Sequence, residues 1–359
     1  MTDLTQLAVY KQRIDDDIAA YADYVRATTR TLYGRRVLEA EVEVFLDLLA
    51  RGGKRLRGAL VMAGYQMCGG TNQKMIVQAA RAIEMLHAYI LMIDDIQDRS
   101  DLRRGKPSAH KMIQAYHAKQ KFHGDPVHTG ISLALNAAIA GAHGAQAILA
   151  NLDVDPELRL KAISITNRTM AITAHGQTLD IINELVAMPN EADIDRILDW
   201  KSGLYSITNP LHVGMVLAGA GCRETDAITP FSAAAGKTFQ ITDDILGIYG
   251  DQKDLGKTPG DDIREGKGTM LTLYALKHAK STDKAFLQKC LGNPKLTIED
   301  FDKCKKIIQD SGALAHARKM AAKHLDEALT SLDKTKNLWS QEGSDFLKGL
   351  ARALQNRVS

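Results

Sequence analysis

Two pairs of adjacent aspartates, each embedded in apolar sequence, are the residues of this chain best placed to do chemistry. The first lies in Leu91-Met92-Ile93-Asp94-Asp95-Ile96-Gln97-Asp98 and runs on into Asp101-Leu102-Arg103-Arg104-Gly105-Lys106-Pro107, so four carboxylates and a pair of adjacent arginines, Arg103-Arg104, fall within eleven residues. On a helix Asp94 and Asp98 share a face, with Asp95 just beside it. Like charges so spaced repel, and the cluster is unfavourable unless a cation sits in it. Carboxylate oxygens suit Mg²⁺, which keeps several waters and takes one or two carboxylates together with substrate phosphates. The neighbouring arginines can each grip phosphate oxygens through two parallel hydrogen bonds. Metal and guanidinium together point to a diphosphate.

The second pair stands in Phe239-Gln240-Ile241-Thr242-Asp243-Asp244-Ile245-Leu246-Gly247, followed by a glycine-containing basic stretch from Gly250 to Gly268 that includes Lys257 and Lys267. One acidic pair on a helix is commonly just a solvated face. Two pairs in apolar settings, both followed by basic glycine-containing loops, favour a shared chemical role.

Five segments, taken in order, resemble those of the short-chain trans-isoprenyl diphosphate synthases, the family of farnesyl and geranylgeranyl diphosphate synthases. They are Gly52-Gly53-Lys54-Arg55-Leu56-Arg57; His87; the Asp94 motif with Arg103-Arg104-Gly105-Lys106-Pro107; Gly176-Gln177 with Lys201-Ser202; and Phe239-Gln240 through Lys257 and Lys267. The resemblance implies a single all-α domain over residues 1–359, helices bundled around a central cavity. It implies condensation of isopentenyl diphosphate with an allylic diphosphate (dimethylallyl, geranyl or farnesyl), using two or three Mg²⁺ ions. Asp94, Asp95, Asp98 and Asp243 are the metal set it implies, with Asp95 in support. By the same resemblance Lys54, Arg57, His87 and Arg104 hold the isopentenyl diphosphate. Arg103, Lys201, Ser202, Gln240 and Lys257 serve the allylic diphosphate, and Lys267 belongs to a lid that excludes water. Tyr89 and Ile90, just upstream of Asp94, stand where the family's chain-length floor lies, and favour geranylgeranyl over farnesyl diphosphate. A homodimer in the cytoplasm is the expected assembly and location.

The chain departs from the family pattern in two places. Gly247 stands where a third acid of the second motif is often found, which leaves the roles of Asp244 and Asp251 open. Gly58 stands where proline usually follows the Arg57 motif. Plainer readings also stand beside several residues. His87 and Tyr89 could be core side chains, Lys201 a helix-terminus cation, and Gln177 and Asp180 interior polar groups shaping the cavity. At the level of function the alternatives are a class I terpene cyclase and a non-catalytic partner subunit of a heteromeric prenyltransferase. The cyclase lacks its usual second metal triad here and has no use for the Lys54–Arg57–His87 pocket. A partner subunit typically loses acids that this chain keeps.

The elements that must carry these residues are helices. Apolar residues recur at three- and four-residue steps in Leu38–Ala50, Gln73–Ile93, Glu157–Thr173 and Asp193–Trp200. Breaks are expected at Gly52-Gly53, Gly69-Gly70, Gly105 to Pro107, Asn151 to Pro156, Met188 to Asn190, Cys222 to Pro230 and Gly250 to Gly268. No long alternating strand pattern and no internal repeat appears. The formal net charge of +3 gives no basis for nucleic-acid binding. Cys68, Cys222, Cys290 and Cys304 have neither zinc nor disulfide spacing and read as buried thiols in a reducing compartment. Val127 to Leu152 holds no Lys, Arg, Asp or Glu and is long enough to span a bilayer. Its Ala- and Gly-rich make-up fits a closely packed interior helix, so no transmembrane segment is expected.

Overall fold

The computed structural model describes residues 3–250 and 260–356. It is all-α as expected, with one two-stranded hairpin. The first helices are α1 (Asp3–Tyr33), α2 (Arg36–Ala50), α3 (Leu56–Met67) and α4 (Gln73–Gln97). The hairpin of β1 (Leu102–Arg103) and β2 (Lys106–Pro107) follows, then α5 (Ala109–Gln120), α6 (Pro126–Ala150), α7 (Pro156–Glu184) and α8 (Glu191–Ile197). A π-helical stretch, Leu198–Thr208, leads into α9 (Asn209–Leu217) and α10 (Cys222–Tyr249). Beyond the undescribed segment come α11 (Asp261–Glu265), α12 (Met270–His278), α13 (Ser281–Cys290), α14 (Ile298–Asp310), α15 (Ala313–Lys334) and α16 (Gln341–Gln355).

Local chemistry explains where several helices begin. The side chain of Asn72 accepts from Met75 N at the start of α4. Asp125 does the same for Val127 N at α6, where Pro126 fills the first helical position. The hairpin turns tightly because Arg104 and Gly105 both have positive φ, +55° and +72°, as a primed two-residue turn requires.

The chain forms two compact units, Met1–Ile163 with Val213–Gly219, and Ser164–His212 with Ala220–Ser359. In the first, α4 packs between α3 and α6. Leu60, Met62, Ile76, Met85, Met92 and Leu149 are sealed in its core, each burial contributing about 1.5–3 kcal/mol. In the second, α10 packs against α15 and the π-helical stretch, around a core that includes Ile241, Ile245, Leu271, Leu276, Cys304 and Ile308.

Four expectations about the elements need correction. Cys222 to Pro230 is not a break: α10 begins at Cys222 and carries Pro230 inside it. The lost backbone hydrogen bond is offset by Ile228 and Phe231, buried on either side. The helix of Asp193–Trp200 stays α-helical only to Ile197 and then widens into the π form. Cys222 is exposed at the start of α10 and Cys68 is half-buried, so only Cys290 and Cys304 are the buried thiols expected, and all four are free. Finally, α6 is interior on one face only. Ala134, Ala138, Ala145 and Leu149 are sealed, whereas Ile139, Ala140, His143 and Ala147 face outward. By length and composition α4 and α6 could each cross a membrane, with 61% and 33% of their apolar windows buried.

Candidate active site

The last turn of α4 delivers Asp94 and Asp95, and Asp98 closes the helix, its N–H bonded to Asp94 O at 2.8 Å. Three carboxylates at the negative end of a helix dipole are electrostatically unfavourable unless cations face them. The β-hairpin supplies one. Arg103 Nε donates to Asp95 Oδ1 at 2.7 Å and its Nη2 to Asp94 Oδ2 at 3.1 Å, while Nη2 also pairs with Asp95 Oδ1. Burial pulls the Arg103 pKa down, but Asp95, Asp94 and Asp98 outweigh it and hold it well above the ordinary value. Arg103 is thus the counter-ion of the aspartates, and a phosphate would have to share it. Asp95 is 1% exposed.

A separate cationic pocket lies on the same unit. Arg57 Nη1 meets His87 Nε2 at 3.2 Å, and His87 precedes Asp94 by seven residues, two turns back along the unbroken α4. Burial first, then the charges of Arg57, Arg104, Arg103 and Arg55, push the His87 pKa well below its usual value, so its ring is neutral and Nε2 accepts. Arg104 reaches back to the last turn of α2 and the loop after it, donating to Leu48 O at 3.3 Å and to Gly52 O. Burial, together with the nearby arginines, lowers its pKa to about 10. Lys54 is exposed on that loop. Arg51 ties loop to hairpin, donating to Arg103 O at 2.9 Å and Pro107 O at 2.8 Å. Sequence reasoning passed over Arg51, and only its place next to Gly52-Gly53 could have drawn attention to it. Tyr89 and Ile90 are partly buried on α4.

In the second unit Lys201 lies in the π-helical stretch and bonds Asp180 of α7. Gly176 makes this possible, since a Cβ there would run into the backbone of Lys201. Lys267, 9% exposed, donates to the same Asp180 oxygen at 3.2 Å and to Glu184 Oε1 at 2.6 Å. Burial pushes the Asp180 carboxyl up, but the two lysines outweigh it and hold it below the ordinary range. Asp180, set aside as an interior polar group, is therefore the anchor of two site lysines. Ser202 is buried. Gln240 donates to Asp244 Oδ1 at 2.7 Å. Burial, with Asp262, Asp243 and Asp180 nearby, drives the Asp244 pKa well above the carboxylate range against that hydrogen bond.

The missing third acid has a structural answer. A Cβ added at Gly247 would run into Oδ2 of Asp262, at the start of α11. The carboxylate of Asp262 therefore lies against Gly247, in the space that a Cβ there would need. Lys257 and Asp251 lie outside the described residues. Among the described residues no three acid, histidine or cysteine side chains close on one another as a metal cage. Mg²⁺ takes only one or two carboxylates, with substrate phosphates and water completing its shell.

The fold and the paired aspartate clusters define an all-helical protein of diphosphate chemistry. The polyprenyl synthetase family model matches residues 39–308. A geranylgeranyl diphosphate synthase of Saccharolobus solfataricus is 33% identical over 291 residues, 81% of this chain and 82% of its own. A geranylfarnesyl diphosphate synthase of Aeropyrum pernix is 31% identical, covering 87% and 93%. A Corynebacterium glutamicum geranylgeranyl pyrophosphate synthase, crystallised with isoprenyl diphosphate and magnesium, superposes with TM-score 0.91 at 29% identity, covering 97% and 98%. The chain belongs to the polyprenyl synthetase family and is a short-chain trans-isoprenyl diphosphate synthase, hence a trans-prenyltransferase.

Proposed function

We propose that this enzyme joins isopentenyl diphosphate head-to-tail to dimethylallyl, geranyl or farnesyl diphosphate, with geranylgeranyl diphosphate as its main product ahead of farnesyl diphosphate. The observation that carries the reading is on α4. One helix bears His87, gripped by Arg57 in a pocket of cations, then Asp94 two turns on, with Asp98 a further turn along at its C-cap. These are two chemically distinct ways of holding a diphosphate, one by guanidinium alone and one through a cation. The names of the relatives, mostly geranylgeranyl diphosphate synthases, support the chain length.

Asp94 and Asp98 in one unit, and Asp243 in the other, would hold the two or three Mg²⁺ ions, which would supply positive charge to help diphosphate leave the allylic carbon. Asp95 keeps Arg103 beside that cluster, and Asp262 stands in for the acid absent at Gly247. Lys201, Lys267 and Lys257 take allylic phosphate oxygens, with Gln240 and Ser202 as hydrogen-bond partners. Lys54, Arg57, His87 and Arg104 hold the isopentenyl diphosphate intact. The allylic C–O bond breaks, the isopentenyl double bond attacks the cation to form the new C–C bond, and the proton then lost goes to the departed diphosphate. Closing water out of the site prevents capture of the cation as an alcohol.

Incubation with Mg²⁺, labelled isopentenyl diphosphate and each allylic primer separately, with products sized after dephosphorylation, tests the reading. Elongation stopping at geranylgeranyl, and longer products from Tyr89→Ala, are expected; no incorporation by folded protein with any primer would overturn it. For assembly we take a homodimer, for which the outward face of α6, bearing Ile139 and Ala140, offers apolar surface, and sedimentation decides it. For location we take the cytoplasm, where an exposed thiol at Cys222 stays reduced; cell fractionation checks this.

A further inference from the structure

Helix α3 begins under an unusual condition. Its N-cap residue, Arg55, has φ +48° and ψ +35° and offers no side-chain cap, so the first turn leaves N–H groups unsatisfied. Ordinarily a Ser, Thr, Asp or Asn at the N-cap would accept from the second or third helical N–H. Here the acceptor comes from another helix. Glu84 of α4, 3% exposed, accepts from Gly58 N, the third helical position, through Oε1 at 2.9 Å. Its other oxygen faces Arg55 Nη1 at 3.4 Å. Arg55 is itself held by Asp15 Oδ1 at 2.7 Å and Leu49 O at 2.7 Å. Glu84 therefore fixes the chain on both sides of Arg57, at residues 55 and 58. It also lies three residues before His87 on the same face of α4, so one helix sets both partners of the Arg57–His87 contact.

The departure at position 58 fits this arrangement. Proline there would have no N–H to give. Any side chain would also be crowded, since a Cβ on Gly58 would lie 2.8 Å from Ile14 Cδ1 and 3.3 Å from Glu84 Cγ. Glycine both frees the N–H and lets the carboxylate approach it.

We propose that Glu84 is a positioning residue of the cationic pocket: by capping α3 from α4 it fixes the placement of Arg57 against His87, and so the affinity for isopentenyl diphosphate. This rests on the reading of Arg57 and His87 as the isopentenyl diphosphate pocket. Two conservative variants separate reach from charge. Glu84→Gln keeps an oxygen at full length for Gly58 N but loses the charge. Glu84→Asp keeps the charge but falls one methylene short.

The measurement is KM for each substrate with the other saturating, with Tm measured alongside and Arg57→Ala as the reference. Glu84→Asp is expected to raise KM for isopentenyl diphosphate about tenfold, about 1.4 kcal/mol, with KM for geranyl diphosphate within about twofold. Glu84→Gln is expected to stay within about threefold of the parent for both. If Glu84→Gln is the worse of the two, the residue acts as a counter-charge and the capping role fails. A lower Tm with both KM values unchanged in Glu84→Asp makes Glu84 merely structural and overturns the proposal. Should Arg57→Ala itself leave KM for isopentenyl diphosphate unchanged, the pocket reading falls first and takes the proposal with it.

Discussion

The two aspartate clusters are balanced in different ways. At the first, acids and counter-ion come from one short stretch: Asp94, Asp95 and Asp98 end α4, and Arg103 of the following hairpin folds back onto them. At the second, described cations are set by an acid outside the aspartate motif. Lys201 and Lys267 are held by Asp180, from a different helix. Within the motif, Asp244 is pushed well above the carboxylate range by burial and by Asp262, Asp243 and Asp180. A locally balanced cluster keeps its shape through short loops, whereas one assembled from α7, α10, α11 and the π-helical stretch depends on every one of those elements being in register. Substitutions should therefore hurt through chemistry at the first cluster and through assembly at the second.

The largest effect expected is from Asp94→Asn. It removes a charge from the centre of the first cluster and leaves Arg103 with one fewer partner, and kcat should fall by about 10³-fold, the size seen when a preorganised electrostatic contact to developing charge is lost. The fold should survive, because Asp94 is only partly buried and Asp95 retains Arg103. Steady-state rates with saturating substrates, beside a thermal melt, check this. A kcat within about tenfold of the parent would remove Asp94 from the centre of the mechanism and set the two clusters on an equal footing.

Next comes the substitute acid. Asp262→Asn should lower kcat by about 10- to 100-fold, as outer partners of a metal site commonly do. Gly247→Ala should give a loss of similar size although it removes no charge, because the new methyl would occupy the place of the Asp262 carboxylate. The double variant should then be no worse than either single one, since both act on the same oxygen. Additive losses would mean that Gly247 matters for some other reason, and the comparison between a local and an assembled cluster would lose its clearest instance.

Legibility in the sequence follows the same division. Helical periodicity was enough for α2, α4 and most of α7, and the first cluster could be read whole because residues 94 to 107 contain its acids, its arginines and its turn. Arg103 was assigned to phosphate, and its pairing with Asp94 and Asp95 was invisible because the tight turn that brings it back depends on a positive φ at Arg104, which non-glycine residues rarely adopt. Gly247 was recognisable as a gap, but nothing local says that position 262 fills it. Asp180 stood in plain view beside Gly176-Gln177, yet its role depends on two lysines that are 21 and 87 residues away in the chain. Glu84 was hidden for a related reason: a buried acid in an apolar helix has no periodic signature, and its partners at positions 55 and 58 belong to another element. The widening at Leu198–Thr208 escaped notice because π and α helices share the same apolar spacing over a few residues.

The smallest effect expected concerns pH and returns to the cationic pocket of the first unit. Burial and four arginines hold the His87 pKa well below 6.5 in the fold, whereas in the unfolded chain it titrates near 6.5. Above that value His87 is neutral in both states and pH has no leverage through it. As pH falls below it the unfolded chain takes up a proton that the folded protein refuses, so stability is lost progressively until the folded pKa is passed. Replacing the ring by an uncharged amide in His87→Gln removes this contribution while keeping a polar partner for Arg57. Between about pH 7.5 and about pH 5 the parent's Tm should therefore drop by a few degrees more than that of the variant, with the two curves running parallel at higher pH. Parallel curves throughout would mean that the pocket tolerates a charged imidazole among its arginines. That would require a counter-charge close to His87, and Glu84, three residues back on α4, would be the acid to substitute next.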